Sequence, residues 1–306
     1  MRTFAYITTP INTEQLKEQW QALKYLPDYI LSRLRKLLPK YKIIKLGKFE
    51  SVQAETIKGY KIVCPILDEY KQDNLVLERI ISACCIAEKL GVKLIGVGGY
   101  AALVADKNYN KIIKSVKIPV TCGNALSAWC LFEKVYRLAK AKNIPLKGST
   151  ILFLGADTQT GSLAARKLSE YTAKIIIAGT DKNLLAKLKE VILQENHIEV
   201  IIESNIEAAL NEVSIVVNAE EAYEPLPKLK ENTIYSGVEA LRIREYGAGV
   251  SRFISPSLAE AALLVLDDNA VSYSLGKNSN LEILEEIANT AVRQGFEVWV
   301  PEAPVL

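Results

Sequence analysis

A single histidine, His197, stands in 306 residues. Histidine-based proton transfer is therefore an improbable chemistry, and His197, at the start of a strand-like run, reads as a surface residue. The five cysteines are odd in number and contain no CxxC pair, which argues against a disulfide framework and against a zinc site. Neither sign of charge dominates: 38 Lys and Arg face 35 Asp and Glu, for a net charge of +3. Nothing global in that balance asks for nucleic acid or a membrane surface. Long apolar runs are missing as well. The most apolar charge-free stretch, 94–105, carries three glycines and is far too short for a membrane span. Met1 leads through Arg2 into a strand-like FAYIT without the apolar core of a signal peptide, so the cytoplasm is the expected location. No repeat and no low-complexity linker interrupts the chain.

What is present begins with the run TILFLGADTQTGSLAARKL at 150–168. An apolar, β-branched strand delivers Gly155, and Gly161 follows six residues later at the opening of a helical pattern. A strand–glycine turn–helix places the helix N–H groups and its positive dipole end against a pyrophosphate, with the second glycine letting helix and strand approach. Gly155, Ala156, Asp157, Thr158, Gln159, Thr160 and Gly161 are therefore the candidate cofactor turn, although Thr158 stands where a middle glycine is usual. Short apolar runs recur downstream at 173–178, 197–202, 213–218 and 233–237, separated by helical stretches. That alternation indicates a parallel sheet with its ligand outside the strands' carboxyl ends. Those ends add Thr180, Asp181, Lys182, Asn218, Ala219 and Gly237 to the cofactor set. Asp181 suits the ribose diol of NAD but can equally cap the helix starting at Lys182. Thr180 with Lys182 suits the extra phosphate, and the balance favours NADP(H) slightly over NAD(H).

The expected fold is α/β with two domains: a parallel, doubly wound Rossmann-type sheet and a smaller N-terminal α/β substrate domain. Residues 1–123 form the substrate domain and 124–256 the dinucleotide domain, with 124–145 as a bridging helix. Residues 257–306 supply C-terminal helices that pack back on the first domain. The cleft between domains is the expected active site.

With the glycine turn, the pair Gly98-Gly99, the loop Thr121–Asn124 and the C-terminal blocks in view, the chain resembles the cyanobacterial long-chain acyl-[acyl-carrier-protein] reductases. That family is related through its cofactor domain to shikimate dehydrogenases and glutamyl-tRNA reductases. GVKLIGVGGYAAL (91–103) resembles the family's GIDISALGGFTSI, TCGNALSAW (121–129) its TTGNTHTAY, and FLGADTQTGS (153–162) its VGATGDIGS. SLAEAALLVLD (257–267), YSLGKN (273–278) and AVRQGF (291–296) have counterparts in the same order. The resemblance implies an NADPH enzyme that reduces an acyl thioester through an acyl-enzyme cysteine. Here Ser257 occupies the cysteine's place, and Thr180 that of the family's NADPH-selecting arginine. The alternatives to acyl reduction are a shikimate- or amino-acid-dehydrogenase-like carbonyl/alcohol dehydrogenase, or a dinucleotide-binding protein without catalysis.

Four residues are candidates for chemistry. Ser257 has inherited the nucleophile's position but lacks a neighbouring base in the sequence. Cys122 precedes a long helix for which Asn124 is the expected N-cap, a setting that lowers a thiol's pKa; the alternative is a small buried residue. Glu69 aligns with a family acid and suits a general acid or a loop anchor, and Lys61 suits protonation of a carbonyl oxygen. The substrate is expected to be a small molecule or an acyl group on a carrier. Arg33–Lys48, with seven basic residues and no acid, is a candidate dock for an acidic carrier protein or else a solvated face. A homo-oligomer is compatible with the composition.

Overall fold

Alternating apolar and β-branched residues build the first strand, β1 (Thr3–Thr8), and the period of two sends its side chains to opposite faces. A computed structural model describes residues 2–10, 13–28, 30–31, 41–51, 55–65, 73–220, 229–238, 243–247, 250–271, 273–276 and 280–300. After the short helix α1 (Thr13–Gln19) come β2 (Lys42–Glu50), β3 (Thr56–Val63), helix α2 (Asp73–Lys89) and β4 (Leu94–Val97). Helices α3 (Tyr100–Lys107) and α4 (Tyr109–Ser115) precede the two-residue strand β5 (Val120–Thr121). These strands form one sheet in the order β2-β3-β1-β4-β5, parallel except for the antiparallel edge strand β2. Lys42, Lys45 and Lys48 are exposed on that edge, where charge discourages pairing with another chain. They belong to the basic segment expected to dock a carrier; its residues 33–40 lie outside the described residues.

Helix α5 (Asn124–Ala141) leads into the second sheet. There β6 (Thr150–Leu154), α6 (Gln159–Ser169), β7 (Lys174–Ala178), α7 (Lys182–Asn196), β8 (Glu199–Ile202), α8 (Ile206–Leu210), β9 (Ile215–Asn218) and β10 (Ile234–Gly237) alternate. The order β10-β9-β6-β7-β8, parallel throughout, is that of a doubly wound nucleotide-binding sheet. A small antiparallel sheet joins β11 (Ile243–Gly247) to β12 (Val250–Ile254) and to β13 (Phe296–Val298). Helices α9 (Pro256–Leu266) and α10 (Leu281–Arg293) complete the chain's described elements. Among the described residues no helix is long and apolar enough to cross a membrane.

Two faces of the first sheet are covered differently. Ala5 and Ile7 pack with Val76 and Ile80 of α2, while Phe4 and Tyr6 pack on the opposite side with Ala261 and Leu264 of α9. Helix α9 thus lies across β1, β3 and β4, and α10 lies against α5 and α6. The second placement corrects the expectation that both C-terminal helices return to the first sheet. Leu284, Ile287 and Ala291 form the apolar stripe of α10, and the partners it finds are the helices that cover the second sheet. His197 also differs from its expected place at a strand start. It ends α7 in the left-handed conformation at φ 54°, a common helix-terminating geometry.

Candidate active site between the two sheets

Gly155 ends β6 with φ at 69°, a conformation that costs glycine little. A side chain there would also press on Glu220, with its Cβ 2.7 Å from the Glu220 Cβ. At Gly161 a Cβ would overlap the Gly155 carbonyl oxygen and lie 2.9 Å from its carbon, so only glycine lets α6 start this close to the strand. Thr158 is the N-cap: its hydroxyl oxygen accepts from the Gly161 N–H at 3.0 Å and donates to the Gly155 carbonyl at 2.7 Å. The side chain in the usual glycine position therefore ties the turn together. The first-turn amides of Gln159 and Thr160 lack intrahelical acceptors, as the first four N–H groups of any α-helix do. The donor set and the glycine contacts fit a dinucleotide pyrophosphate. Ala156 hydrogen-bonds back to β7 through Ala178, and Ala219 to β6 through Leu154, which fixes the ends of the three central strands. Asn218 is fully buried and holds the Glu220 amide at 3.2 Å. Gly237 ends β10 beside it in register.

At the end of β7 the capping alternative for Asp181 is the one realised. The Asp181 carboxylate caps α7, accepting from the amides of Asn183 and Leu184 at 2.9 and 3.1 Å. Thr180 is engaged by Asp157, whose Oδ2 accepts from the Thr180 amide at 2.9 Å, the Thr180 hydroxyl at 3.0 Å and the Asp181 amide at 2.8 Å. The expected phosphate grip by Thr180 is thus already filled by a carboxylate of the chain itself. Lys182 is exposed at the start of α7.

At the first sheet, the Tyr6 hydroxyl lies 2.8 Å from the Ser257 Oγ and 3.4 Å from the Ser255 Oγ. The two serine oxygens are themselves 3.4 Å apart. Three glycines make room for this cluster. A Cβ at Gly98 would fall on the Tyr6 hydroxyl and lie 2.8 Å from Ser257 Oγ, one at Gly96 would meet Ala261, and one at Gly123 would overlap Ser257 Cα. Burial raises the Tyr6 pKa against its hydrogen bonds to Ser255 and Ser257, so the phenol keeps its proton. Lys61 is the register partner of Tyr6 on β3 and so shares its face of the sheet. It is half-buried, and burial lowers its pKa.

Of the two readings of Cys122, the structure shows the small buried residue rather than the activated thiol. The thiol is 3% exposed, contacts the Ala102 carbonyl at 3.6 Å, and is pushed well above its ordinary pKa by burial, with Asp106 and Glu260 adding to the shift. The Cys122 thiol is therefore neutral rather than an activated thiolate. Cys64 is likewise raised, to about 12. Asn124 is not the N-cap of α5; that place falls to Gly123 in the left-handed conformation. The Asn124 side chain donates instead to Asp106 and to the Ser274 carbonyl, and accepts from the Thr160 hydroxyl, each at 3.3 Å. One amide thereby links the first sheet's α3 to the first turn of α6. Glu260, fully buried on α9, accepts from the hydroxyls of Thr121 and Ser274 and from the Leu126 amide at 2.9 Å. It fastens the loop ahead of α5 to α9, and burial raises its pKa against those hydrogen bonds. Glu69 lies outside the described residues.

Tyr6 and Asp157 acquire their places only through contacts far apart in sequence. A signal for Tyr6 was present: Gly96 in β4 and Gly98 just after it, spaced by two, mark a place of close approach.

No family model and no curated protein matches the sequence. Among solved structures, the chain is similar to L-tryptophan dehydrogenase from Nostoc punctiforme at 12% identity and a TM-score of 0.39, covering 96% of this chain and 80% of that one. It is similar to shikimate 5-dehydrogenase from Listeria monocytogenes in complex with shikimate and NAD, at 12% identity and a TM-score of 0.39 over 94% and 96% of the two chains. Quinate dehydrogenase from Corynebacterium glutamicum in complex with NAD matches at 13% identity and a TM-score of 0.39 over 97% and 95%. Likeness this distant says nothing of substrate or mechanism.

Proposed function

We propose that the chain is a nicotinamide-dependent oxidoreductase that interconverts a carbonyl and an alcohol in the cleft, without an acyl-enzyme. One observation carries this reading. The Tyr6–Ser255–Ser257 hydroxyl cluster abuts Gly123, and the next residue, Asn124, is hydrogen-bonded to Thr160 in the first turn of the dinucleotide helix. Proton-handling groups of one half are thus tied to the cofactor turn of the other. Nicotinamide dinucleotide supplies or accepts a hydride when bound. Ser257 and Tyr6 orient the carbonyl oxygen by hydrogen bonding. Lys61 delivers the proton that this oxygen takes as hydride reaches the carbon, and recovers a proton from water afterwards. A desolvated lysine is the better acid for that task than a buried phenol.

An acyl thioester is the second substrate class, supported by the ordered sequence blocks shared with the acyl carrier protein reductases. The site lacks what a covalent version needs. Cys122 is held neutral, and among the described residues no histidine or carboxylate hydrogen-bonds Ser257. His197 sits at the opposite end of the second sheet, just before β8. Direct hydride addition to a thioester remains compatible with the geometry.

The test is a fluorescence titration of the intact chain with NADH and NADPH, followed by a panel of aldehydes, ketones and a long-chain acyl thioester. Dinucleotide oxidation on a simple carbonyl is expected. Tyr6→Phe should lower kcat by roughly 10- to 100-fold with dinucleotide affinity unchanged. Full activity in Tyr6→Phe would remove the hydroxyl cluster from the chemistry, and binding without any turnover would leave a non-catalytic dinucleotide binder.

A further inference from the structure

We propose that Asp157 is a built-in anion seated where the adenosine 2′-phosphate of NADP(H) would bind, and that it sets a preference for NAD(H). The inference rests on the reading of the β6–α6 turn as a dinucleotide site and adds to it the identity of the nucleotide. In a doubly wound sheet the residues just past the second strand choose the ribose substituent: an acid takes the diol, and cations or hydroxyls take the phosphate. The second strand here is β7, and the residues past it are Gly179, Thr180, Asp181 and Lys182.

Two amides and one hydroxyl at this point, from Thr180 and Asp181, converge on a single oxygen of Asp157. That is the donor set a phosphate oxygen would use. Asp157 does not come from β7; it reaches across from the glycine turn. Gly179 admits it, since a Cβ there would lie 2.5 Å from the Asp157 Cγ. The other carboxylate oxygen of Asp157 is buried without a hydrogen-bond partner among the described residues. A 2′-phosphate would bring further acceptors and like charge to donors that Asp157 already fills, whereas a ribose diol carries no charge. Asp181, the acid that sequence position singles out for the diol, is held by its capping bonds to Asn183 and Leu184. The anion that discriminates against the phosphate therefore comes from the glycine turn rather than from the end of the second strand.

Like charge at hydrogen-bond range disfavours the 2′-phosphate by about tenfold or more at the effective dielectric of a protein surface. The experiment is a titration of the intact chain and two variants with NADH and NADPH, read by fluorescence with no substrate present. The intact chain should bind NADH about tenfold or more tighter than NADPH. Asp157→Ser frees the Thr180 and Asp181 donors beside Lys182 and should tighten NADPH by a similar factor. Asp157→Asn keeps the shape and removes the charge; it should narrow the NADH/NADPH ratio even if the serine variant fails to fold. NADPH bound by the intact chain as tightly as NADH, or an unchanged ratio in a folded Asp157→Asn, overturns the proposal and leaves the dinucleotide site standing. Binding of neither nucleotide by any of the three proteins overturns that site and this proposal together.

Discussion

Gly123→Ala tests whether α9 and the loop ahead of α5 meet as closely as the site requires. Gly123 has φ at 76°, where a residue with a Cβ costs about 1–2 kcal/mol. The added carbon would overlap Ser257 Cα, lie 2.6 Å from Ser257 Cβ and sit 3.2 Å from Ser257 N. Carbon atoms in ordinary contact are about 3.5–4.0 Å apart, so the overlap with Ser257 Cβ is roughly 1 Å. The obstacle includes helix backbone, which cannot rotate away as a side-chain tip can, and such overpacking costs about 1–3 kcal/mol. The two contributions together come to about 2–5 kcal/mol. At roughly 2 °C per kcal/mol for a chain of this size, the melting temperature should fall by about 4–10 °C. Gly148→Ala is the control, because no atom comes within 4 Å of its Cβ position; it should stay within about 0.5 kcal/mol of the parent. Differential scanning calorimetry of the three proteins gives the answer. A Gly123→Ala protein that melts with the control would mean that α9 is not seated on this loop, and the Tyr6–Ser257 cluster would lose its support.

Lys61 must be protonated to donate during carbonyl reduction, so kcat/KM for reduction should fall as pH rises through its pKa. Burial lowers that pKa from the ordinary 10.5, and the falling limb should therefore lie below that of a free lysine. Lys61→Met should remove the limb, and a pH profile unchanged in that variant would take Lys61 out of the reaction. Cys122, neutral and 3% exposed, should resist iodoacetamide in the folded chain, and Cys122→Ala should keep its activity. Rapid alkylation of Cys122 with loss of activity would restore it as a nucleophile.

The second sheet was legible because each of its strands is a short apolar run bounded by turn residues. The expected strand leading into Gly155 is Thr150–Leu154, and the expected run at 173–178 became Lys174–Ala178 with only its first residue trimmed. The bridging helix and a C-terminal helix were also expected, and they are α5 and α10. The strands β11 and β12 escaped notice, since IREYG and VSRFI lack the continuous apolar character of a buried strand. Within the site, the glycine turn could be read because its requirements are local. The uses made of polar side chains could not. Asn124 was read as a helix cap and Thr180 and Asp157 as cofactor contacts, whereas their partners lie 18, 36 and 150 residues away for Asn124 and 23 to 24 for Asp157. Asp181 shows the limit from the other side: capping and ribose binding demand the same residue type at the same place, and only geometry separates them.

One face of each sheet contributes its buried side chains to a single continuous core. Phe4, Tyr6 and Leu94 of the first sheet connect through Leu126, Trp129 and Leu131 of α5 and Leu263 of α9 to Ile151, Phe153 and Ile177 of the second. A hinge needs slack, and none is built in here. Swinging the two halves apart would bring several large side chains into water, at about 1.5–3 kcal/mol for each one fully exposed. Ligands must therefore enter by adjustment of the loops that rim the strands' carboxyl ends rather than by a wide jaw-like motion. For the same reason the half built on the second sheet is not a detachable module: a fragment begun at α5 would carry a bare apolar flank where α9 and the first sheet had been.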